Sequence, residues 1–258
     1  MPNLTAPLAY SALDAPLPPP LTDELCAFWQ ETFATAYAGF RPILAGAEDA
    51  HHRDRFYLAR HGTELAGTSH ITISRGTPAL AGLGEVATPP TYRQQGIATH
   101  LCRWALDDLR QAGGEALFLG TMNLAAARVY ARLGWQHLPG SNVMVAILDS
   151  RQPEVYLAAY FAPAPLADIV PGSAVARIPR IPLIVDPHPW LVLDANLPLY
   201  STQYALQRSC MGLYPRYAAL AADGAGNWFE AQTADGRLVG LASARLDGEG
   251  RCQVDGFT

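Results

Sequence analysis

The stretch from Leu83 to Ala112 constrains this chain most, because it reads as a strand, a sharp turn and an amphipathic helix. The strand-like residues end at the pair Pro89-Pro90. Apolar residues then recur at helical spacing, at Ile97, Leu101, Ala105 and Leu109. The pattern predicts a helix that begins near Ile97 and ends at Gly113-Gly114.

The turn before this helix predicts an anion-binding site. The N–H groups in the first turn of a helix have no intrahelical acceptor, and the helix dipole is positive there. Gly96 and Ala98 leave the backbone accessible to a large anion. The turn has no Lys, and no G-x-G-x-x-G follows the strand, so the common mononucleotide and dinucleotide motifs fit poorly. We predict that the amides of residues 94–99 bind a diphosphate; the alternative is an ordinary strand–turn–helix with small residues at its N-terminus.

A second segment, residues 123–135, reads N-L-A-A-A-R-V-Y-A-R-L-G-W. Asn123 is a good N-cap for a helix, and Gly134 is a typical C-terminal stop. One stripe of that helix carries Ala126, Val129, Tyr130 and Leu133. The alternative role of Tyr130 is therefore that of an aromatic residue packed in the core.

These two segments resemble the GNAT acyltransferase superfamily. The pattern R-x-x-G-x-A begins at Arg93, and N-x-x-A-x-x-x-Y-x-x-x-G-[FW] begins at Asn123. The resemblance covers about residues 1–150. It implies an α/β (α+β) fold with a mixed, mostly antiparallel central sheet flanked by helices, in the order β-α-α-β-β-β-α-β-α-β-β.

The resemblance also implies an activity, the transfer of an acyl group from acetyl-CoA, as co-substrate, to an amine (EC 2.3.1.-). The strand before the turn would pair with the pantetheine arm through Val86, Ala87 and Thr88. The residues that would bind the diphosphate are Arg93, Gln94, Gln95, Gly96, Ile97, Ala98 and Thr99. Asn123 would contact the cofactor backbone, and Tyr130 would protonate the departing thiolate.

The general base is less defined. Many GNAT enzymes carry a carboxylate five residues before the position of Asn123, but here that residue is Phe118. Glu85 is the nearest carboxylate on the preceding strand and is the candidate base, acting directly or through water. Its alternative role is a solvent-facing strand residue. His70 is a second candidate, although a strand histidine is more often packed in the core.

Composition limits the remaining functions. A net charge of -5 argues against nucleic-acid binding, and no apolar run is long enough to span a membrane. The N-terminus has no signal-peptide pattern, which predicts a cytoplasmic location. No residues have metal-ligand spacing, so no metal is expected. The cysteines are scattered, at Cys26, Cys102, Cys210 and Cys252, which fits a reducing compartment.

The second half predicts a different organisation. Residues 151–190 are rich in proline and are interpreted as a partly ordered connection, because proline prevents regular helix and limits strands to edges. Residues 191–258 are interpreted as an incomplete, non-catalytic GNAT-like repeat. The spacing from Phe229 to Leu238 equals that from Phe56 to Leu65, and the sequence ends where a second anion-binding turn would begin.

Three functions therefore stay open. The favoured one is N-acetyl transfer to a small-molecule amine, with a protein N-terminus or lysine as the other acceptors. The second is an acyl-CoA-binding sensor or scaffold without turnover, against which the intact Tyr130 argues. The third is a GNAT-like enzyme, such as a decarboxylase, with a different acyl-CoA reaction. A homodimer is compatible with each.

Overall fold

The computed structural model describes residues 7–76, 79–208 and 212–258; Cys210 lies outside these ranges. Its first sheet has seven strands in the order β1-β2-β3-β4-β5-β7-β6. Neighbouring strands are antiparallel except for β4 and β5. The strands are β1 (Leu8–Asp14), β2 (His52–His61), β3 (Glu64–Ser74), β4 (Leu80–Ala87), β5 (Ala116–Gly120), β6 (Gln136–His137) and β7 (Val143–Ile147).

Four helices alternate with these strands in the predicted order. They are α1 (Pro19–Phe33), α2 (Arg41–Leu44), α3 (Ile97–Gln111) and α4 (Leu124–Arg132). The mixed, mostly antiparallel sheet flanked by helices is confirmed. None of the helices within the described ranges has the length and apolarity to cross a membrane.

The start of α1 differs from the sequence pattern. Threonine is a common N-cap residue, and Thr22 lies near the start of α1, but the helix begins one turn earlier, at Pro19. Proline is well suited to a first helical turn, since its missing N–H would have no acceptor there. Thr22 is consequently buried inside the helix.

The helix α3 packs against β3 at Gly67. A Cβ atom built on Gly67 would lie 2.5 Å from Cγ2 of Ile97 and 3.2 Å from the carbonyl oxygen of Ala87. The missing side chain therefore allows the first turn of α3 to approach the sheet closely. This contact fixes where the N-terminus of α3 lies relative to the end of β4.

Residues 151–190 are more regular than predicted. They form α5 (Pro153–Tyr160), β8 (Leu166–Pro171) and α6 (Arg180–Val185), so the interpretation as a partly ordered connection is wrong. Prolines occupy the start of each helix, where no N–H donor is needed: Pro153 begins α5, and Pro179 immediately precedes α6. The strand β8 is at a sheet edge, where proline is tolerated.

A second, fully antiparallel sheet lies in the C-terminal part of the chain. Its four strands follow the order β13-β12-β11-β8. The remaining elements are β9 (Val192–Asp194), β10 (Leu199–Tyr200), α7 (Leu213–Ala222), β11 (Gly226–Thr233), β12 (Leu238–Leu246) and β13 (Cys252–Phe257).

The six-residue helix α6 belongs to two hydrophobic cores. Ile181 and Val185 pack with side chains of the first sheet, such as Phe118, and with α5. Leu183 and Ile184 pack in the core of the second sheet, which contains Trp228. The helix therefore covers one face of the first sheet while it supports the second.

The second sheet resembles the first four strands of the first sheet in order. The strands β8, β11, β12 and β13 pair in the same succession as β1, β2, β3 and β4. A register shift follows Ala59 in β2 and Ala231 in β11. This topology supports the proposed internal repeat.

The register nevertheless corrects the predicted residue pairing in that repeat. Phe56 pairs with His70 in the first sheet, three residues before the shift, and Trp228 pairs with Ser243 at the same distance before the shift in the second. Within the proposed repeat, Trp228 rather than Phe229 would therefore be the counterpart of Phe56. The second β-hairpin has a longer turn, which makes equal sequence spacing misleading.

Candidate active site

The strands β4 and β5 separate at their carboxyl ends. They pair in parallel only from Leu80 to Gly82, opposite residues 116–118. Beyond Gly82, each strand continues without pairing to the other. Because β4 and β5 are parallel, the helices that follow them, α3 and α4, both begin at this open edge of the sheet.

Residues 94–99 present unpartnered backbone amides at that edge. This segment, called the 94–99 loop here, consists of the turn before α3 and the first three residues of α3. In the described residues, none of these six N–H groups donates a hydrogen bond, and the first helical bond runs from His100 N to Gly96 O at 2.9 Å. Gln94, Gln95 and Gly96 are exposed. With the dipole of the 15-residue helix α3 behind it, the loop has the chemistry of an anion site.

Two residues with left-handed backbone shape this loop. Gln94 has φ 64° and Gly96 has φ 80°. A Cβ atom added to Gly96 would meet nothing within 4 Å, so a side chain there would enter the open space in front of the amides. Nε of Arg93 donates to the carbonyl oxygen of Thr88 at 3.0 Å, so its guanidinium group lies beside the end of β4.

The predicted pantetheine-binding residues follow a β-bulge. The bulge lies at Glu85, which has φ 49°, rather than at either glycine of the strand, Gly82 or Gly84. Ala87 returns to the ladder opposite Thr68, and Val86 lies within the bulge. The hydroxyl of Thr88 is buried without a hydrogen-bond partner among the described residues.

The bulge brings Glu85 to His70, and β2 contributes an unpredicted third residue, Asp54. His70 Nδ1 lies 3.0 Å from Glu85 Oε2, and His70 Nε2 lies 2.7 Å from Asp54 Oδ1. Thr72 donates a hydrogen bond of 2.6 Å to Asp54 Oδ1. The ring of His70 stacks on Phe56 at a centroid distance of 4.3 Å. Alternation along β2 could have placed Asp54 on the inward face, because Phe56 and Leu58 share its parity.

His70 is held as an imidazolium in this arrangement. Both ring nitrogens face carboxylates, and both can donate only when the ring is protonated. Burial lowers the pKa of His70, but the hydrogen bonds to Asp54 and Glu85 outweigh it and raise the pKa above its ordinary value. Burial raises the pKa of Asp54, yet His70 holds it at about 2. His70 is therefore a poor general base, and Glu85 keeps Oε1 without a donor in the described chain.

Replacing Asp54 with Asn is expected to lower the free energy of unfolding by about 3 kcal/mol at pH 7, because the imidazolium loses one buried partner. The raised pKa of His70 means that its stabilisation is complete below 6.5 and is lost as the pH rises through the native value. The lowered pKa of Asp54 means that its contribution is present above 3.8 and lost as the pH falls towards 2. Urea unfolding at pH 5, 7 and 10 should show the difference shrinking at the highest pH.

Asp14→Asn is the matched control for this prediction. Asp14 lies 3.2 Å from both Arg53 and Arg55, but its carboxylate is 44% exposed. Its loss should cost less than about 1 kcal/mol, with little dependence on pH. Equal costs for Asp14→Asn and Asp54→Asn would contradict the buried ionic network.

The helix α4 begins at the same edge and carries the other two predicted residues. Asn123 caps the helix, and its Oδ1 accepts from Ala125 N at 2.9 Å and from Ala126 N at 3.3 Å. Tyr130 is mostly buried, with its ring 5.9 Å from that of Trp135. Burial, with a smaller contribution from Cys102, raises the pKa of Tyr130, so its hydroxyl is protonated at neutral pH.

Phe118 has no access to this site. It is fully buried under α5 and α6, on the face of the sheet opposite to α3. The position that carries a carboxylate in many GNAT enzymes is thus a core position here. Any base must come from elsewhere, and Glu85 is the carboxylate at the open edge of β4.

The arrangement described above coincides with a family match. Residues 19–135 match the model of a family described as "Acetyltransferase (GNAT) family". This segment is a GNAT acetyltransferase domain. The match indicates an acyltransferase, and the matched segment contains the 94–99 loop, Glu85 and Tyr130. No curated protein matches the sequence.

Solved structures of GNAT proteins are similar to the GNAT domain. A GNAT acetyltransferase from Staphylococcus aureus is 15% identical with a TM-score of 0.45, over 54% of this chain and 99% of that one. The Enterococcus faecium aminoglycoside 6'-N-acetyltransferase is 17% identical with a TM-score of 0.44, over 56% and 99%. A GNAT N-acetyltransferase from Escherichia coli, in complex with CoA, is 22% identical with a TM-score of 0.39, over 56% and 84%.

Proposed function

We propose that the protein transfers an acetyl group directly from acetyl-CoA to the nitrogen of a small-molecule amine. The observation that carries this proposal is the row of six unpartnered amides in the 94–99 loop, at the edge where β4 and β5 separate. A diphosphate accepts hydrogen bonds from such amides, and the unpaired end of β4 offers backbone groups to a pantetheine arm.

The residues of the open edge supply the proton transfers that the reaction needs. The ammonium form of the amine gives one proton to Glu85, directly or through water, and its neutral nitrogen forms a bond to the thioester carbon. The nitrogen then gives its second proton to solvent, and Glu85 also returns its proton to solvent. The carbon–sulfur bond then breaks, and the thiolate takes the hydroxyl proton of Tyr130. Tyr130 regains its proton from solvent. The products are the amide and free CoA thiol, with no covalent enzyme intermediate.

His70 acts on Glu85 rather than on the amine in this scheme. Its hydrogen bond to Oε2 orients the carboxylate and leaves Oε1 without a donor among the described residues. Asp54 in turn fixes the ring of His70. Both are positioning residues.

Thiol release tests this proposal against its alternatives. The protein is incubated with acetyl-CoA, with and without a panel of amines, and free thiol is followed over time. Release that requires an amine supports transfer. Release without an amine indicates a different acyl-CoA reaction, and CoA binding without any release indicates a sensor or scaffold.

Gly96→Leu is expected to weaken CoA binding about 10- to 100-fold while the fold survives. The leucine side chain would occupy the space in front of the amides. A non-glycine residue in the left-handed conformation of position 96 also costs about 1–2 kcal/mol of stability. Isothermal titration calorimetry with CoA measures the effect. Gly96→Ala should give a smaller loss.

Gly113→Leu provides a matched control. Gly113 has φ 75°, and an added Cβ would also meet nothing within 4 Å, but it follows the opposite end of α3. The two leucine variants carry the same kind of backbone strain, so only Gly96→Leu should lose affinity. Wild-type affinity in Gly96→Leu would refute the assignment of the 94–99 loop.

A further inference from the structure

An aromatic cluster of Phe33, Tyr37 and Phe40 lies where the chain passes from α1 to α2. The ring centroids of Phe33 and Tyr37 are 5.9 Å apart, and those of Tyr37 and Phe40 are 6.1 Å apart. The buried Trp29 supports them from behind, at 5.4 Å from Tyr37. Phe33 is 40% exposed, and Tyr37 and Phe40 are half-buried. The cluster thus presents apolar surface on a rigid base.

This aromatic cluster adjoins the carboxylate of Glu85. The ring of Phe40 meets His70 edge-on at 5.5 Å, and His70 is hydrogen-bonded to Glu85. Burial and the Glu85 carboxylate both raise the pKa of Tyr37, which places the two side chains within electrostatic range. Apolar surface and an open carboxylate oxygen therefore lie side by side.

The local charge favours a single cation. Asp54, His70 and Glu85 together carry one net negative charge when His70 is protonated, and Oε1 of Glu85 is the atom left for a ligand. Arg41, near the cluster in sequence, is paired with Asp23 at 2.5 Å. A polycation would need several free carboxylates, whereas the residues described beside the aromatic cluster offer one, that of Glu85.

We infer that the acceptor is a primary monoamine with an aromatic or similarly bulky apolar group, its ammonium at Glu85 and its apolar group on Phe33, Tyr37 and Phe40. This inference rests on the proposed acetyl transfer for its role in turnover. The predicted preference for one class of amine is a difference in binding affinity, which can be measured without turnover. Because a phenyl group would be buried on this surface, we expect an amine that carries one to bind about 10- to 100-fold more tightly than an amine without one.

Calorimetry on the protein saturated with CoA tests the inference with 2-phenylethylamine, ethanolamine, spermidine and 2-phenylethanol. 2-Phenylethylamine should bind about 10- to 100-fold more tightly than ethanolamine and more tightly than spermidine. The uncharged 2-phenylethanol should bind more weakly than 2-phenylethylamine, and Glu85→Gln should remove that difference. Equal affinities for 2-phenylethylamine and ethanolamine, or tighter binding of spermidine, would overturn the inference.

A surface variant and its control separate this site from general hydrophobic binding. Phe33→Ala should weaken 2-phenylethylamine about 5- to 10-fold and leave ethanolamine unchanged. Leu246→Ala, at a 54% exposed residue of β12, should change neither. An unchanged 2-phenylethylamine affinity in Phe33→Ala would contradict the assigned surface.

Thiol release with acetyl-CoA distinguishes a failure of the proposed acetyl transfer from a failure of the inferred acceptor class. If 2-phenylethylamine binds with the expected preference but releases no thiol, acetyl transfer is refuted and the binding site stands. If thiol is released faster with ethanolamine or spermidine, acetyl transfer stands and the acceptor class is refuted.

Discussion

Tyr130→Phe is expected to lower kcat by about 10²- to 10⁴-fold, the usual contribution of a general acid, and to leave the affinity for CoA unchanged. The substitution removes only the hydroxyl and keeps the ring that packs against Trp135. Burial raises the pKa of Tyr130, so the wild-type hydroxyl carries its proton at neutral pH and can give it to the thiolate. Steady-state kinetics and calorimetry with CoA measure the two effects.

Tyr156→Phe is the control for this experiment. Tyr156 is buried in α5, and its hydroxyl also has no hydrogen-bond partner among the described residues. It lies in the core beneath the opposite face of the sheet, so its loss should not change kcat. An unchanged kcat in Tyr130→Phe would mean that the thiolate leaves unaided or takes a proton from water, and Tyr130 would then be a core residue.

A fragment of residues 1–150 is expected to lose most of its stability. In the full chain, α5 and α6 cover Leu80, Phe118, Val143 and Val145. At about 1.5–3 kcal/mol for each buried side chain, their exposure costs about 6–12 kcal/mol, which is comparable to the whole stability of a domain. Urea unfolding and size-exclusion chromatography should show a marginal, aggregation-prone fragment.

The same fragment should still bind CoA, because the 94–99 loop and α4 are intact. CoA should therefore raise its folded fraction by mass action. Residues 1–190 serve as the comparison. They keep the side chains of α5 and α6 that cover the first sheet, although Leu183 and Ile184 are exposed, and should unfold at a higher urea concentration than residues 1–150. A fragment 1–150 that stays soluble and turns over like the full chain would refute the covering role.

The isolated segment 151–258 is expected to bind no CoA. Its strand β13 pairs with β12 without a register shift, so the second sheet has no counterpart of the bulge at Glu85. CoA binding by this segment would contradict the proposed division between a catalytic and a non-catalytic half.

The sequence was sufficient for the features that depend on local chemistry. Helical spacing and the small residues around Gly96 placed α3 and the 94–99 loop correctly, and Asn123 caps α4 as its residue type predicts. The order of strands and helices in the first sheet was also predictable, because it follows from the family pattern that Arg93 and Tyr130 carry.

Features that depend on pairing between strands were not predictable. Glu85 meets His70 only because of a bulge that moves it out of the regular ladder, and neither Gly82 nor Gly84 marks its position. Asp54 joins them from a third strand, whose register is set by the whole sheet. In the proposed repeat, the counterpart of Phe56 was hidden for the same reason, since one additional turn residue shifts the pairing to Trp228.

The helix α6 was missed because six residues with an internal proline carry no helical periodicity, yet its position affects the whole chain. Its Ile181 side chain lies in one core and its Ile184 side chain in the other. If either sheet unfolded, one side of α6 would lose its apolar contacts, and the helix that packs on the remaining sheet would be exposed on that side. We therefore expect the two sheets to unfold as one cooperative unit, and a destabilising substitution in the second sheet should also destabilise the candidate active site, which it does not contact.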